Sequence, residues 1–186
     1  MVWNLYLAAI PAVVALLLFR RPSPTGVAWF AGFAVWLAFL PNAPYVLTDV
    51  VHLRADLYAS PTRSHTYLVL ATYAIFFAAG LVSYVLSLHL FRKFLHRVSP
   101  RRLVLPALIF VHGVSVVAMY LGRFMRLNSW DVVTAPGAVL DSVLRVPRPS
   151  SLAVFLAMFV VVGFGTFATY AVGEKLVAQL RRLVTR

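Results

Sequence analysis

The sequence predicts an all-α, polytopic transmembrane helix bundle with about five spans, forming a single integral membrane domain over residues 1–186. Hydrophobic residues make up 62% of the chain and charged residues only 12%, with a mean hydropathy of +0.87. A soluble domain of this length could not bury so many apolar side chains. The apolar residues also form long runs, and most basic residues lie between them. Cysteine is absent, which excludes disulfides, thiolate metal sites and cysteine nucleophiles.

Five apolar runs are candidates for the spans, at about residues 2–19, 27–40, 67–91, 103–121 and 152–172. A bilayer core about 30 Å thick needs roughly 20 helical residues, and the second run is short. We expect it to continue through Pro41 to Pro44 with a kink, because proline lacks an N–H and clashes one turn back. In the fourth run, Ala118 and Gly122 stand four positions apart, which favours a close helix contact.

The distribution of basic residues predicts the orientation, because cytoplasmic loops carry the excess of Lys and Arg. One set of loops holds eleven basic residues and the single acid Glu174, and the other set holds six basic residues and four aspartates. The basic residues of the first set are Arg20, Arg21, Arg92, Lys93, Arg97, Arg101, Arg102, Lys175, Arg181, Arg182 and Arg186. Those of the second set are Arg54, Arg63, Arg123, Arg126, Arg145 and Arg148. We therefore expect the N-terminus outside, the C-terminus in the cytoplasm, and short interfacial helices in outer loops 41–66 and 122–151.

A first polar segment follows the second run. Read as a helix, YVLTDVVHLRAD places a polar stripe on one face, since the spacings are three or four residues; the stripe is Tyr45, Thr48, Asp49, His52 and Asp56. Asp49 and His52 are candidates for general-base chemistry or for two ligands of a metal ion. The favoured alternative is that Asp49 pairs with an arginine and His52 forms a hydrogen bond at the interface. Asn42, between two prolines, is typical of a turn.

A second polar segment follows the fourth run. Arg123 and Arg126 are three residues apart and are expected to share a helix face. Asn128 or Ser129 is a candidate N-cap for a short helix, with Asp131 in its first turn, and Trp130 is a candidate interface anchor. The arginines need a counter-charge, which could come from Asp49, Asp56 or Asp131, or from a lipid phosphate or another anion. The sequence leaves protein pairing and anion binding equally open.

His112 lies about ten residues into the fourth run, near the middle of the bilayer. We expect its side chain to face the bundle, where Ser115 and either Ser83 or Ser87 could form hydrogen bonds with it. This structural role is favoured over a proton relay, because no other strongly ionisable residue is buried with it.

The two polar segments, LPNAPYVLTDVVHL at residues 40–53 and GRFMRLNSWD at residues 122–131, together with WNLYLA at residues 3–8, resemble an uncharacterised bacterial membrane-protein family, domain-of-unknown-function family 1361. The spacing of these segments is similar over nearly the whole chain. The resemblance implies a multi-span protein of the bacterial cytoplasmic membrane. It implies no catalytic or binding role for any residue, because the family has no assigned activity.

Three hypotheses about function follow. The leading one is a non-enzymatic protein whose outer face binds an anion or a lipid head group; its candidate ligand-binding residues are Asn42, Tyr45, Asp49, His52, Arg123, Arg126, Asn128, Trp130 and Asp131. The second is a membrane enzyme acting on a lipid-linked or cell-envelope substrate, with Asp49, His52 and Asp131 as candidate catalytic residues and Asp49 and His52 as candidate metal ligands. The third is a structural subunit of a membrane complex. The net charge of +12 favours anionic lipids, rather than nucleic acid, as partners of the protein. The sequence identifies neither a cofactor nor a protein partner.

Overall fold

The computed structural model describes residues 2–20, 26–127, 131–145 and 149–184, which are almost entirely helical. In chain order the helices are α1 (Val2–Leu18), α2 (Gly26–Phe39), α3 (Asn42–Tyr45), a 3₁₀ turn (Val46–Asp49), α4 (Val50–Tyr58), α5 (Arg63–Val98), α6 (Arg101–Phe124), α7 (Asp131–Thr134), α8 (Pro136–Arg145) and α9 (Pro149–Val184). No strand occurs in these ranges, so the predicted all-α class is confirmed. The five apolar runs fall in α1, α2, α5, α6 and α9.

Three helical stretches are long and apolar enough to cross a membrane: Gly26–Tyr58, Arg63–Val98 and Arg101–Phe124. The first of these includes α2, α3, the 3₁₀ turn and α4. Helix α1 and the apolar part of α9, Leu156–Tyr170, are shorter apolar helices. The length and composition of the helices therefore indicate a membrane protein.

Helix α5 is the centre of the bundle and contacts α1, α3, α4, α6 and α9. Its first turn is capped by Thr62, whose hydroxyl oxygen accepts a hydrogen bond from the His65 backbone N–H at 3.2 Å, a favourable start for a helix. At 36 residues and 1.5 Å per residue, α5 is about 54 Å long, well beyond the roughly 30 Å of a bilayer core. Part of α5 must therefore lie outside the hydrocarbon region of a membrane.

An aromatic cluster joins α1, α2 and α5 at the end of the bundle where α1 and α5 terminate. The Phe19 ring lies edge-on to Trp36 at 4.9 Å and close to Phe91 at 5.2 Å, arrangements that aromatic rings favour. The Arg97 guanidinium donates a hydrogen bond to the Phe19 backbone carbonyl, directly after the last residue of α1. These contacts hold the three helices together at this end and leave the polar segments at the other.

The α-helical pattern is interrupted at Leu40 and Pro41, where the sequence predicts a kink. Helix α2 ends at Phe39, and Asn42 donates from its side-chain amide to the Phe39 carbonyl at 3.1 Å, which is the local bond expected of a turn residue. After this interruption, α3 packs directly against α5 at Gly80. A Cβ at Gly80 would lie 2.5 Å from the Ala43 carbonyl oxygen, so only glycine permits this approach.

His112, which is half-buried in the structure, has different partners from those expected. The Tyr84 hydroxyl lies 2.9 Å from His112 Nδ1, and the Phe159 carbonyl oxygen lies 3.3 Å from Nε2. Ser83 and Ser115 instead donate to the backbone carbonyls of Ala8 and Val111. The prediction that His112 faces the bundle is correct, but the prediction of serine partners is wrong, because serine hydroxyls in helices readily bond a carbonyl one turn back or on a neighbouring helix.

Candidate functional site

The two polar segments meet at Gly122. A Cβ at Gly122 would lie 3.3 Å from Tyr45 Cε2 and 3.4 Å from the Leu127 carbonyl oxygen. Tyr45 belongs to the first segment and Leu127 to the second. The absence of a side chain at Gly122 therefore allows the Tyr45 ring and the chain after α6 to pack on the same point of the helix.

A cleft of about 960 Å³ opens where the segments meet. It lies between the start of α1, the end of α2, the residues after Pro41 and the end of α6, with Val139 of α8 at its margin. Its polar lining residues are Asn4, Asn42, Tyr45, Arg123 and Arg126, and most of the remaining lining is apolar, including Leu7, Leu37, Val114 and Met119. No carboxylate is among the described residues that line it, so the cleft carries positive charge.

Small residues on α2 and α6 line two walls of this cleft. Ala34 and Ala38 lie four positions apart on α2, and Ala118 and Gly122 lie four apart on α6. The close contact predicted for Ala118 and Gly122 is confirmed at Gly122, which adjoins Tyr45 of α3. Ala118 lies one turn earlier on α6 and lines the cleft.

Asp49 is bonded to an asparagine that the sequence reasoning missed. Its side chain is only 6% exposed, and its Oδ2 accepts a hydrogen bond from Asn4 Nδ2 at 2.9 Å. Within the described ranges no Lys or Arg nitrogen lies within 4.0 Å of the Asp49 carboxylate, so the expected pairing with an arginine is wrong. Asn4 could have been found in the sequence, because it is a polar amide inside the first apolar run, in the WNLYLA segment.

The polar stripe predicted for the first segment is divided in the structure. Asp49 is buried against α1, Asp56 accepts a hydrogen bond from the Tyr73 hydroxyl at 2.7 Å on α5, and His52 is exposed. The 3₁₀ turn at Val46–Asp49 rotates each residue further than an α-helix does, so the spacing of 3.6 residues per turn no longer applies. Asp49 and His52 form no hydrogen bond in the part of the chain that the structure describes.

The separation of Asp49 from His52 bears on metal binding. Among the described residues, no group of three or more His, Asp or Glu side chains is arranged to hold a metal ion. The described residues therefore supply neither a His52 imidazole oriented by Asp49, as general-base chemistry would use, nor a group of three or more metal ligands that includes Asp49 and His52.

The two arginines lie in the lining of the cleft but not on one helix face. Arg123 is in the last turn of α6 and is half-buried, whereas α6 ends at Phe124 and Arg126 follows it with φ 59°. The prediction of a shared helix face is therefore wrong, because the helix ends between them. A left-handed conformation costs a non-glycine residue about 1–2 kcal/mol. Arg126 directly follows the C-cap Met125, the position at which many helices end with a left-handed residue.

The two arginines lack acidic partners among the residues that the structure describes. No carboxylate oxygen in those ranges lies within 4.0 Å of a guanidinium nitrogen of Arg123 or Arg126. Asp49 and Asp56 are engaged by Asn4 and Tyr73 instead. Two guanidinium groups therefore line a largely apolar cleft, and the described side chains around them do not compensate their charge.

The remaining candidates of the second segment lie at the edge of the described chain. Asp131 is the first residue of α7, in the first turn as predicted, and its side chain is half-buried and engaged in an interaction. Asn128 and Trp130 lie outside the described residues. Of the predicted site residues, the structure thus brings together Asn42, Tyr45, Arg123 and Arg126 in the cleft. It separates Asp49 and His52 from them.

The fold and the cleft together define an all-helical, membrane-type protein with an arginine-lined cleft at one end of its bundle. A family described as "Protein of unknown function (DUF1361)" matches residues 3–164. The chain belongs to this family, which confirms the resemblance found in the two polar segments. Searches of curated proteins and of solved structures find no significant match.

Proposed function

We propose that this protein is a multi-pass protein of the bacterial cytoplasmic membrane that binds the phosphate-bearing head group of an anionic lipid in the cleft. The observation that carries the proposal is that Arg123 and Arg126 line a cleft with no carboxylate among its described lining residues. Guanidinium groups bind phosphate oxygens through paired, charge-assisted hydrogen bonds. An anionic ligand would supply the counter-charge that the described side chains around the cleft do not.

The apolar part of the lining favours a lipid over a small soluble anion. The cleft is lined along α6 from Arg123 back to Val114, nine residues that correspond to a depth of about 14 Å at 1.5 Å per residue. The walls at this depth include Leu37, Ala38 and Ala118. A soluble anion would leave this apolar surface without a partner, whereas an acyl chain would cover it.

The orientation in the membrane is part of the proposal. With five spans, the N-terminus outside and the C-terminus in the cytoplasm, the cleft would open at the outer face. Two contacts support a common end for the elements involved: Asn4 near the start of α1 bonds Asp49, and Gly122 near the end of α6 adjoins Tyr45. The loops richest in Lys and Arg belong to the other end, as expected for the cytoplasmic side.

Lipid retention measured by native mass spectrometry tests the proposal. Purified protein would be mixed with phosphatidylglycerol or with zwitterionic phosphatidylcholine of the same acyl chains. We expect preferential retention of phosphatidylglycerol, and Arg123→Ala to weaken it about tenfold or more, since a hydrogen bond to a charged group contributes about 1.5–3 kcal/mol.

Arg54→Ala is the matched control, because Arg54 stacks on Tyr58 at 5.5 Å and is not a lining residue of the cleft. This variant should bind phosphatidylglycerol like the unmodified protein. Equal retention of the two lipids, or equal losses in the Arg123 and Arg54 variants, would contradict the proposal.

A further inference from the structure

The orientation of the Asn4 amide at the cleft is determined by Asp49. An ionised carboxylate can only accept hydrogen bonds, and Asp49 Oδ2 lies 2.9 Å from Asn4 Nδ2. The reversed amide would place its oxygen against the carboxylate, which is repulsive. Because Asp49 is 6% exposed, water cannot readily take the place of this donor.

This arrangement leaves the Asn4 carbonyl oxygen as an acceptor on the cleft side. Asn4 lines the cleft and Asp49 does not. Because the amide nitrogen of Asn4 is bonded to Asp49, the amide oxygen is the branch that remains available to a ligand in the cleft. Arg123 and Arg126 line the same cleft and can only donate. The cleft thus combines guanidinium donors for an anion with an acceptor, held in place through Asp49, for a ligand donor.

From this combination we infer that the cleft selects lipids whose phosphodiester is followed by a hydroxyl-bearing head group, such as a glycerol. This inference rests on the proposed function and specifies its ligand. The phosphate accepts hydrogen bonds from the arginines, and a head-group hydroxyl donates to Asn4 Oδ1. Asp49 is a positioning residue, because it acts on the ligand only through the orientation of Asn4.

Two anionic lipids with the same acyl chains and the same charge separate the hydroxyl from the phosphate. Phosphatidylglycerol carries head-group hydroxyls, and phosphatidylethanol carries none. In a competition followed by native mass spectrometry, we expect the protein to favour phosphatidylglycerol by about two- to tenfold, the range for one neutral hydrogen bond. Equal binding of the two lipids with retained dependence on Arg123 would overturn this inference and leave the proposed function standing.

Substitutions at the pair test the route through Asn4. Asn4→Leu should bring the ratio of the two lipids close to one while phosphatidylethanol still binds. Asp49→Asn should also lower the ratio, because an asparagine both donates and accepts and so allows either orientation of the Asn4 amide. A purely structural role for Asp49 would weaken both lipids equally and leave the ratio unchanged, which would refute its positioning role.

A soluble competitor distinguishes a lipid from a free phosphate ester. Glycerol phosphate carries a phosphate and glycerol hydroxyls without acyl chains. We expect that millimolar glycerol phosphate does not displace phosphatidylglycerol, because it cannot cover the apolar walls. Displacement at that concentration would overturn the assignment of a lipid. Failure of the protein to bind either anionic lipid would instead contradict the proposed function itself.

Discussion

Replacement of Arg126 by glycine should stabilise the protein and impair lipid binding at the same time. Arg126 has φ 59°, a conformation that costs a non-glycine residue about 1–2 kcal/mol and costs glycine nothing. Glycine in turn loses about 0.5–1 kcal/mol more conformational entropy on folding. The net expectation for Arg126→Gly is a gain of about 0.75 kcal/mol in the free energy of unfolding, within a range of about 0–1.5 kcal/mol.

Arg126→Ala is the matched variant, since it removes the same guanidinium group and keeps a Cβ in the left-handed conformation. Thermal unfolding in detergent without added lipid should show a Tm for Arg126→Gly that is about 1–4 °C above that of Arg126→Ala. Both variants should lose binding of phosphatidylglycerol to a similar extent. A Tm for the glycine variant at or below that of the alanine variant would refute the argument from backbone strain, and undiminished lipid binding would refute the role of the charge.

Two further predictions concern packing and topology. Gly80→Ala should lower the free energy of unfolding by about 1–3 kcal/mol, because its Cβ would lie 2.5 Å from the Ala43 carbonyl oxygen. The control Gly113→Ala should not lower it, since a Cβ at Gly113 would have nothing within 4 Å. Equal Tm values for the two variants would contradict the close approach of α3 to α5. Because the chain has no cysteine, a single introduced cysteine is the only thiol that a maleimide can label. A membrane-impermeant maleimide should label the Ala59→Cys variant in intact cells and the Val98→Cys variant only after permeabilisation. The reverse pattern would contradict the proposed orientation.

The position of the interruption after α2 follows from local chemistry. Pro41 has no N–H to continue the helix, and Asn42 satisfies a carbonyl at its end. The direction of each side chain beyond the interruption does not follow in this way. The 3₁₀ turn at Val46–Asp49 changes the rotation per residue. The α-helical spacing therefore predicted one face for Asp49, His52 and Asp56, whereas the three side chains have different environments in the structure.

The end of α6 shows a similar limit. Three-residue spacing predicts a common face for Arg123 and Arg126 only while the helix continues, and α6 ends at Phe124. The contact of Leu127 and Tyr45 with Gly122 accompanies this ending. Tyr45 and Gly122 are far apart in the chain. Their contact therefore cannot be predicted from residue spacing or from helix propensity.

The sequence by itself determined the all-helical class, the positions of the apolar helices, the interruption of the helix at Pro41 and the membership of the family. These features depend on hydropathy and backbone chemistry, which are properties of short segments. Only the tertiary structure decided that Asp49 bonds Asn4 and that Arg123 and Arg126 line one cleft with Tyr45. The physical reason is that partners of buried polar groups are selected by the rotation and end point of each helix, and packing across the whole bundle sets both.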